Sequence, residues 1–185
     1  MAYNYRVNPY QSIPIHSYAT HMPYLISAIK LASQIPVEHE KLVVEYGCGM
    51  YSTPIIMAMC GRDRMVSFEH EASWASQVNR VVGPVVNIVE SWPVVENAGV
   101  VFMDNGPKCD DRYPIIQRYL EMPIEYQPWL IVVHDYPSRY NKKYRDGVMN
   151  QFEFRKYFNS FLPRTCVVSN RFYFGDFGFP TRELE

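Results

Sequence analysis

The feature that most constrains this chain is an alternation, from residue 42 onward, of short apolar runs with segments of helical periodicity. The predicted strands are Leu42–Glu45, Met65–Glu69, Val85–Glu90, Val100–Asp104 and Trp129–Asp135. Between them, Ala72–Val82 and Arg112–Met122 have the spacing of helices. Strands that alternate with helices are joined by right-handed crossovers, which make them parallel neighbours in one sheet. The sequence therefore predicts an α/β fold with a mostly parallel sheet and helices on both faces.

Further elements are predicted near the two ends of the chain. Met22–Gln34 has apolar residues at helical spacing, and a last helix is predicted at Asn150–Phe158. Two runs of aromatic or β-branched residues follow, Thr165–Ser169 and Phe172–Phe177. Because only two residues separate these runs, we expect them to pair as an antiparallel hairpin at a sheet edge.

The composition limits the class of protein. A length of 185 residues suits one domain, in which we assign residues 1–40 to an N-terminal arm and helix and 41–180 to a ligand-binding core. The 18 basic residues nearly balance the 19 acidic ones, so the basic excess of a DNA-binding protein is absent. The four cysteines form no closely spaced pair, and no apolar stretch is long enough to span a bilayer. We therefore expect a cytoplasmic location, with neither nucleic acid nor membrane as a partner.

Glycines and acids mark the ends of the first two predicted strands. In open α/β sheets, ligands bind beyond the carboxyl ends of the strands. The first strand leads from Glu45 into Gly47 and Gly49, and glycines at such a place let a ligand approach the backbone. The second strand ends at Glu69, whose carboxylate, at the rim above the sheet, can accept hydrogen bonds from a ribose diol. Their combination predicts a nucleoside site, although a tight turn and a solvated acid would give the same pattern.

The turn departs from the dinucleotide pattern in two respects. Ser52 stands at the third glycine position of G-x-G-x-x-G, and Glu45 would repel a pyrophosphate while accommodating a cationic amino group. Ser52 or Thr53 is predicted to cap the next helix, with Pro54 at its first position and Gly61 at its C-terminal end.

These motifs resemble those of the class I S-adenosylmethionine-dependent methyltransferases. VVEYGCG is similar to their first motif, E/D-x-G-x-G, and SFEH to the acid of their second strand. VFMDNGP and LIVVHDYP resemble the ends of their fourth and fifth strands. The resemblance implies a Rossmann-like sheet of seven strands, with the seventh inserted between the fifth and the sixth. It is closest to the small O-methyltransferase-like branch.

The resemblance also implies a cofactor, S-adenosyl-L-methionine, and a small-molecule acceptor with a hydroxyl group. The residues implied around the cofactor are Glu45, Gly47, Gly49, Ser52 and Thr53 at the methionine part, Glu69 at the ribose, His70, Glu90 and Ser91 at the adenine, and Asp104 at the sulfonium. The residues implied in the transfer are Asp104, His134 and Asp135, of which Asp104 or His134 could act as the base. His16 and His21 precede the first strand, where the arm could cover the acceptor.

A metal site is not expected. Some members of the branch bind a divalent ion with acids at the ends of the fourth and fifth strands, which Asp104 and Asp135 could imitate. That site also uses an Asn or Asp at the next position, and this chain has Tyr136 there.

Other functions stay open at this point. The N/D-P-P-Y/F/W string of enzymes that methylate the amino groups of DNA bases is absent. The alternatives are a non-catalytic protein that binds S-adenosylmethionine or a partner, and another activity of the pocket such as cleavage of the cofactor. A homodimer is also compatible with the sequence.

Overall fold

In the computed structural model, the described residues are 19–35, 41–106, 112–135, 147–158 and 164–174. The strands found there are β1 (Leu42–Tyr46), β2 (Met65–Glu69), β3 (Val86–Ile88), β4 (Ala98–Met103), β5 (Leu130–His134), β6 (Phe154–Phe158) and β7 (Thr165–Ser169). The α-helices are α1 (Met22–Ala32), α2 (Ser52–Cys60), α3 (Ala72–Val82) and α4 (Arg112–Leu120). No helix in these ranges combines the length and the apolar character that crossing a membrane requires.

The strands form one seven-stranded sheet in the order β3-β2-β1-β4-β5-β7-β6. β1 is parallel to both β2 and β4, and β4 is parallel to β5. β7 is antiparallel to β5 on one side and to β6 on the other. This confirms the predicted Rossmann-like, mostly parallel sheet, including the seventh strand between the fifth and the sixth. The order reverses between β1 and β4, so the expected ligand site lies where these two strands end.

All six residues of β4 are buried. Because successive side chains of a strand point to opposite faces of the sheet, both faces must be covered at this strand. Val101 and Met103 belong to the apolar cluster that contains Tyr113 and Tyr119 of α4. Val100 and Phe102 alternate with them and belong to the cluster that contains residues of α1. A strand covered on both faces needs a continuous apolar run, which is the pattern that the sequence shows here.

The C-terminal part of the sheet corrects two predictions. The segment predicted as a helix at Asn150–Phe158 contains β6 (Phe154–Phe158), whose side chains alternate between less and more exposed positions. The predicted antiparallel pair at the C-terminal edge is confirmed, but Thr165–Ser169 pairs there with β6 and not with Phe172–Phe177. Residues 172–174 form no strand, and residues 175–177 lie outside the described ranges.

The side chain of Ser169 explains why residues 172–174 do not continue as a strand beside β7. The Ser169 hydroxyl accepts hydrogen bonds from the backbone N–H groups of Arg171, at 3.0 Å, and Phe172, at 2.9 Å. Such a serine turn competes with strand geometry, so the chain bends at the end of β7. Arg171 then donates to the carbonyl oxygens of Glu125 and Gln127, outside the sheet.

Candidate functional site

The two glycines after β1 have different structural roles. Gly47 has a φ of +83°, and a Cβ on it would lie 2.6 Å from backbone atoms of Asn105, which follows β4. This position therefore requires glycine for the fold alone. At Gly49 the φ is not positive, and the nearest atom to an added Cβ is the Ser52 hydroxyl oxygen, at 2.7 Å. The backbone is thus far more tolerant at Gly49 than at Gly47.

Glu45 lies beneath this turn and is fully buried. Its Oε2 accepts hydrogen bonds from the hydroxyl groups of Thr53, at 2.8 Å, and Ser67, at 2.6 Å. The Thr53 oxygen in turn accepts from the N–H of Gly49, at 3.0 Å. Glu45 therefore holds the turn through Thr53, and shapes the site from below.

The same contacts correct the predicted helix cap. Tyr51 precedes α2, and no side chain caps the first turn of that helix. Ser52 and Thr53 are its first two residues and are buried, so Pro54 is in the third position. Gly61 ends the helix, as predicted.

Burial controls the charge of Glu45. It raises the pKa of this carboxyl to about 7, although hydrogen bonds from Ser52, Ser67 and Thr53 lower it in part. Its Oε1 has no hydrogen-bond partner among the described residues. A buried carboxyl in this state is protonated in mildly acidic solution and ionises near neutral pH.

Glu69, at the end of β2, is 6% exposed and so less accessible than a rim position. Its Oε1 accepts hydrogen bonds from the backbone N–H groups of His70, at 2.8 Å, and Glu71, at 3.0 Å. Its Oε2 lies 3.8 Å from the Cys48 sulfur, between the two glycines of the turn. A carboxylate oxygen can accept more than this weak contact, so Oε2 keeps capacity for a ligand hydroxyl.

An aromatic side chain that sequence reasoning missed lies against His70, the residue that follows Glu69. Trp92 is partly buried, and its ring meets the ring of His70 edge to face, with 5.2 Å between centroids. Half of the His70 side chain is exposed. Glu90 and Ser91, both exposed, directly precede Trp92. Trp92 directly follows two residues that the resemblance places at the adenine, and this position is the sequence signal that could have identified it.

Arg112 connects the ends of β4 and β5. Its side chain is 1% exposed, and Nη2 lies 3.2 Å from Asp104 Oδ1 and 3.6 Å from Asp135 Oδ2. It also donates to the carbonyl oxygens of Asn105, at 3.0 Å, and His134. Two of the predicted catalytic acids are therefore held by one buried guanidinium, which fits the strong preference of arginine for carboxylates.

The three predicted catalytic residues differ in their ability to carry a proton. Burial raises the pKa of Asp104 to about 7, against the opposing effect of Arg112. Burial, with a contribution from Arg112, lowers the pKa of His134 to about 3.

Asp135 has a φ of +57°, a conformation that costs energy in a residue with a side chain and is common at functional sites.

His21 joins this group from the N-terminal side. It precedes α1, is 2% exposed, and its ring centroid lies 4.6 Å from that of His134. Burial lowers its pKa well below the ordinary value. Two other residues considered above, His16 and Tyr136, lie outside the described ranges.

Comparison with known proteins supports the fold. No protein-family model matches the chain, and no curated protein sequence matches it. Among solved structures, the bifunctional kinase-methyltransferase WbdD has a TM-score of 0.54 at 8% identity, over 82% of this chain and 40% of that one. A protein from Corynebacterium glutamicum has a TM-score of 0.55 at 12% identity, over 82% of both chains. This chain thus spans less than half of WbdD, and the similarity shows a shared Rossmann-like fold.

Proposed function

We propose that this protein binds S-adenosylmethionine and transfers its methyl group to the hydroxyl of a small molecule, in the manner of the small O-methyltransferase-like branch. The observation that carries the proposal is the position of Glu69 beside the glycine turn. Its Oε2 lies 3.8 Å from the sulfur of Cys48, which separates Gly47 from Gly49. Both features lie at the carboxyl ends of neighbouring parallel strands, beside the point where the strand order reverses.

The residues present fit this cofactor. When bound, S-adenosylmethionine would supply an electrophilic methyl group on its sulfonium sulfur. Glu69 would accept a hydrogen bond from the ribose, and the rings of His70 and Trp92 would lie along the adenine. The unpartnered oxygen of Glu45 and the buried side-chain amide of Asn105, also without a partner among the described residues, are suited to a polar ligand.

Asp104, His134 and Asp135 would serve the acceptor. Asp104 is the best suited of the three to take a proton from a hydroxyl near neutral pH, because its pKa is about 7. His134 would stay neutral, since its pKa is about 3, and would orient the acceptor by hydrogen bonding. Holding the two reactants about 3–3.5 Å apart can supply ~7–11 kcal/mol of the barrier, which gives the rigid strand ends a catalytic role.

Calorimetry with S-adenosylmethionine and its demethylated product tests the proposal. Glu69→Ala should weaken binding by about one to two powers of ten, the loss expected for a hydrogen bond to a charged acceptor. Glu69→Gln should weaken it less, because the amide oxygen still accepts. Since Glu69 also holds two backbone N–H groups, thermal melting must accompany each titration. Glu71→Gln, at an exposed neighbour, is the matched control and should bind normally.

Two results would contradict parts of this proposal. Affinities that agree within about twofold among wild type and both Glu69 variants would remove Glu69 from the site. Tight binding without transfer to any hydroxyl acceptor would favour the non-catalytic alternative.

A further inference from the structure

Three side chains with metal-binding chemistry meet at the ends of β4 and β5. His21 precedes α1, Asp104 follows β4, and His134 is the last residue of β5. One potential ligand atom from each lies within 4.8 Å of the other two. Within the described ranges, no other group of three or more histidine, cysteine or carboxylate side chains has this geometry.

The environment of His21 is a second, independent indication of a ligand. The side chain is 2% exposed, yet neither ring nitrogen has a hydrogen-bond partner among the described residues. Leaving a buried polar group unsatisfied destabilises the fold, so such groups are rare in folded proteins without a functional reason. Burial lowers the pKa of both His21 and His134, which favours the neutral form of each ring. A neutral imidazole offers one nitrogen lone pair to a metal.

We propose that His21, His134 and Asp104 together bind one divalent transition-metal ion of the zinc type. Imidazole and carboxylate ligands suit Zn²⁺ and Co²⁺, and three protein ligands leave a position for water or a substrate oxygen. This site differs from the metal site found in some members of the O-methyltransferase-like branch. Asp104 and Asp135 could imitate that site, but we did not expect it in this chain. Two of the three proposed ligands are histidines, and one of them precedes the first strand of the sheet.

The geometry requires only small adjustments. Bonds of about 2.0–2.2 Å to one ion need ligand atoms closer together than they are here, and side-chain movements on the order of 1 Å supply this. His134 Nδ1 lies 3.4 Å from the Thr165 hydroxyl oxygen. That hydroxyl can accept the Nδ1 proton and leave Nε2 to the metal, as second partners of histidine ligands commonly do.

The nearby charges do not exclude a cation. Among the described residues, Arg112 is the positive group that contacts this cluster, 3.2 Å from Asp104. It is shared with Asp135, at 3.6 Å. Two carboxylates around one guanidinium leave a net negative charge when both are ionised. The two imidazoles, in their neutral form, add no charge. Binding of the ion would hold Asp104 in its ionised form as a ligand, because a metal requires a deprotonated ligand, so the role of Asp104 as a base applies to the metal-free protein.

Titration with metal ions tests this proposal without any methyl donor. Full-length, tag-free protein is treated with a chelator and titrated near neutral pH with Co²⁺, followed by visible absorption, and then with Zn²⁺. The wild type should bind one equivalent of Co²⁺ that Zn²⁺ displaces, and should bind Mg²⁺ far more weakly. His21→Ala should weaken Co²⁺ binding by about 100-fold or more, since losing even a second-sphere partner costs 10–100-fold. Asp63→Asn changes an exposed acid outside the proposed sites and should leave the affinity unchanged.

Variants that unfold would not decide the question, so His21→Gln and Asp104→Asn are included and each is checked by thermal melting. Zn²⁺ should raise the melting temperature of the wild type and not that of His21→Gln. Failure of the wild type to bind Co²⁺ or Zn²⁺, undiminished binding by a folded His21 variant, or a preference for Mg²⁺ would overturn the proposal. A protein that binds S-adenosylmethionine but neither Co²⁺ nor Zn²⁺ would overturn this inference alone, and one that binds the metals but not S-adenosylmethionine would overturn only the proposed function.

Discussion

Substitution of Glu45 by glutamine should remove a pH dependence of stability that originates at one buried carboxyl. In the folded protein the pKa of Glu45 is about 7, against an ordinary value of 4.5. Between these two values the folded state binds more protons than the unfolded state, so stability falls as the pH rises. Integrated from about pH 5 to about pH 8, this loss is about 2.5 kcal/mol in the free energy of unfolding.

The variant should not show this contribution, because an amide does not titrate. At about pH 5 the variant should be the less stable protein by roughly 1–2 kcal/mol, since its amide N–H groups replace an oxygen without a partner. By about pH 8 the wild type has lost its advantage, and the difference between the two proteins should have shifted by about 2.5 kcal/mol in favour of Glu45→Gln.

Urea denaturation followed by far-ultraviolet circular dichroism measures both proteins across this range. Glu96→Gln is the matched control, because Glu96 is exposed in the turn before β4, and its stability curve should parallel that of the wild type. A constant difference between wild type and Glu45→Gln at all pH values would refute the reasoning. It would mean that Glu45 is ionised in the fold even in mild acid.

Three further substitutions test the architecture of the site. Gly47→Ala should lower the free energy of unfolding by more than about 1 kcal/mol in urea denaturation, because of its positive φ and the 2.6 Å approach to Asn105. Gly49→Ala should cost less than about 1 kcal/mol, since only the Ser52 hydroxyl must move, and calorimetry should show weaker binding of S-adenosylmethionine. Arg112→Met should cost about 1–3 kcal/mol in the same denaturation assay, because it leaves the carbonyl oxygens of Asn105 and His134 without their buried donor, while the two partly exposed carboxylates lose a cation that solvent screens in part.

The central strands could be predicted because their sequences allow few alternatives. Val100 to Met103 and Leu130 to Val133 are continuous apolar runs, and both are buried on two faces. The turn after β1 and the acid that ends β2 were also predictable, since each stands at the end of a short run of mainly apolar residues. The C-terminal segment was not, because Phe154–Phe158 mixes apolar and charged residues. Such a pattern becomes a strand only when a partner, here β7, supplies its hydrogen bonds.

The candidate site shows the same distinction between what the local sequence predicts and what depends on tertiary contacts. The sequence by itself determined that Glu45, Gly47, Gly49 and Glu69 stand at strand ends, because local burial and periodicity place them there. Only the tertiary structure decided that Glu45 and Glu69 are buried, that Arg112 joins Asp104 to Asp135, and that His21 lies against His134. These facts depend on contacts between segments far apart in the chain. Such contacts follow from how the sheet and α1 pack as a whole, and no local pattern encodes the distances between them.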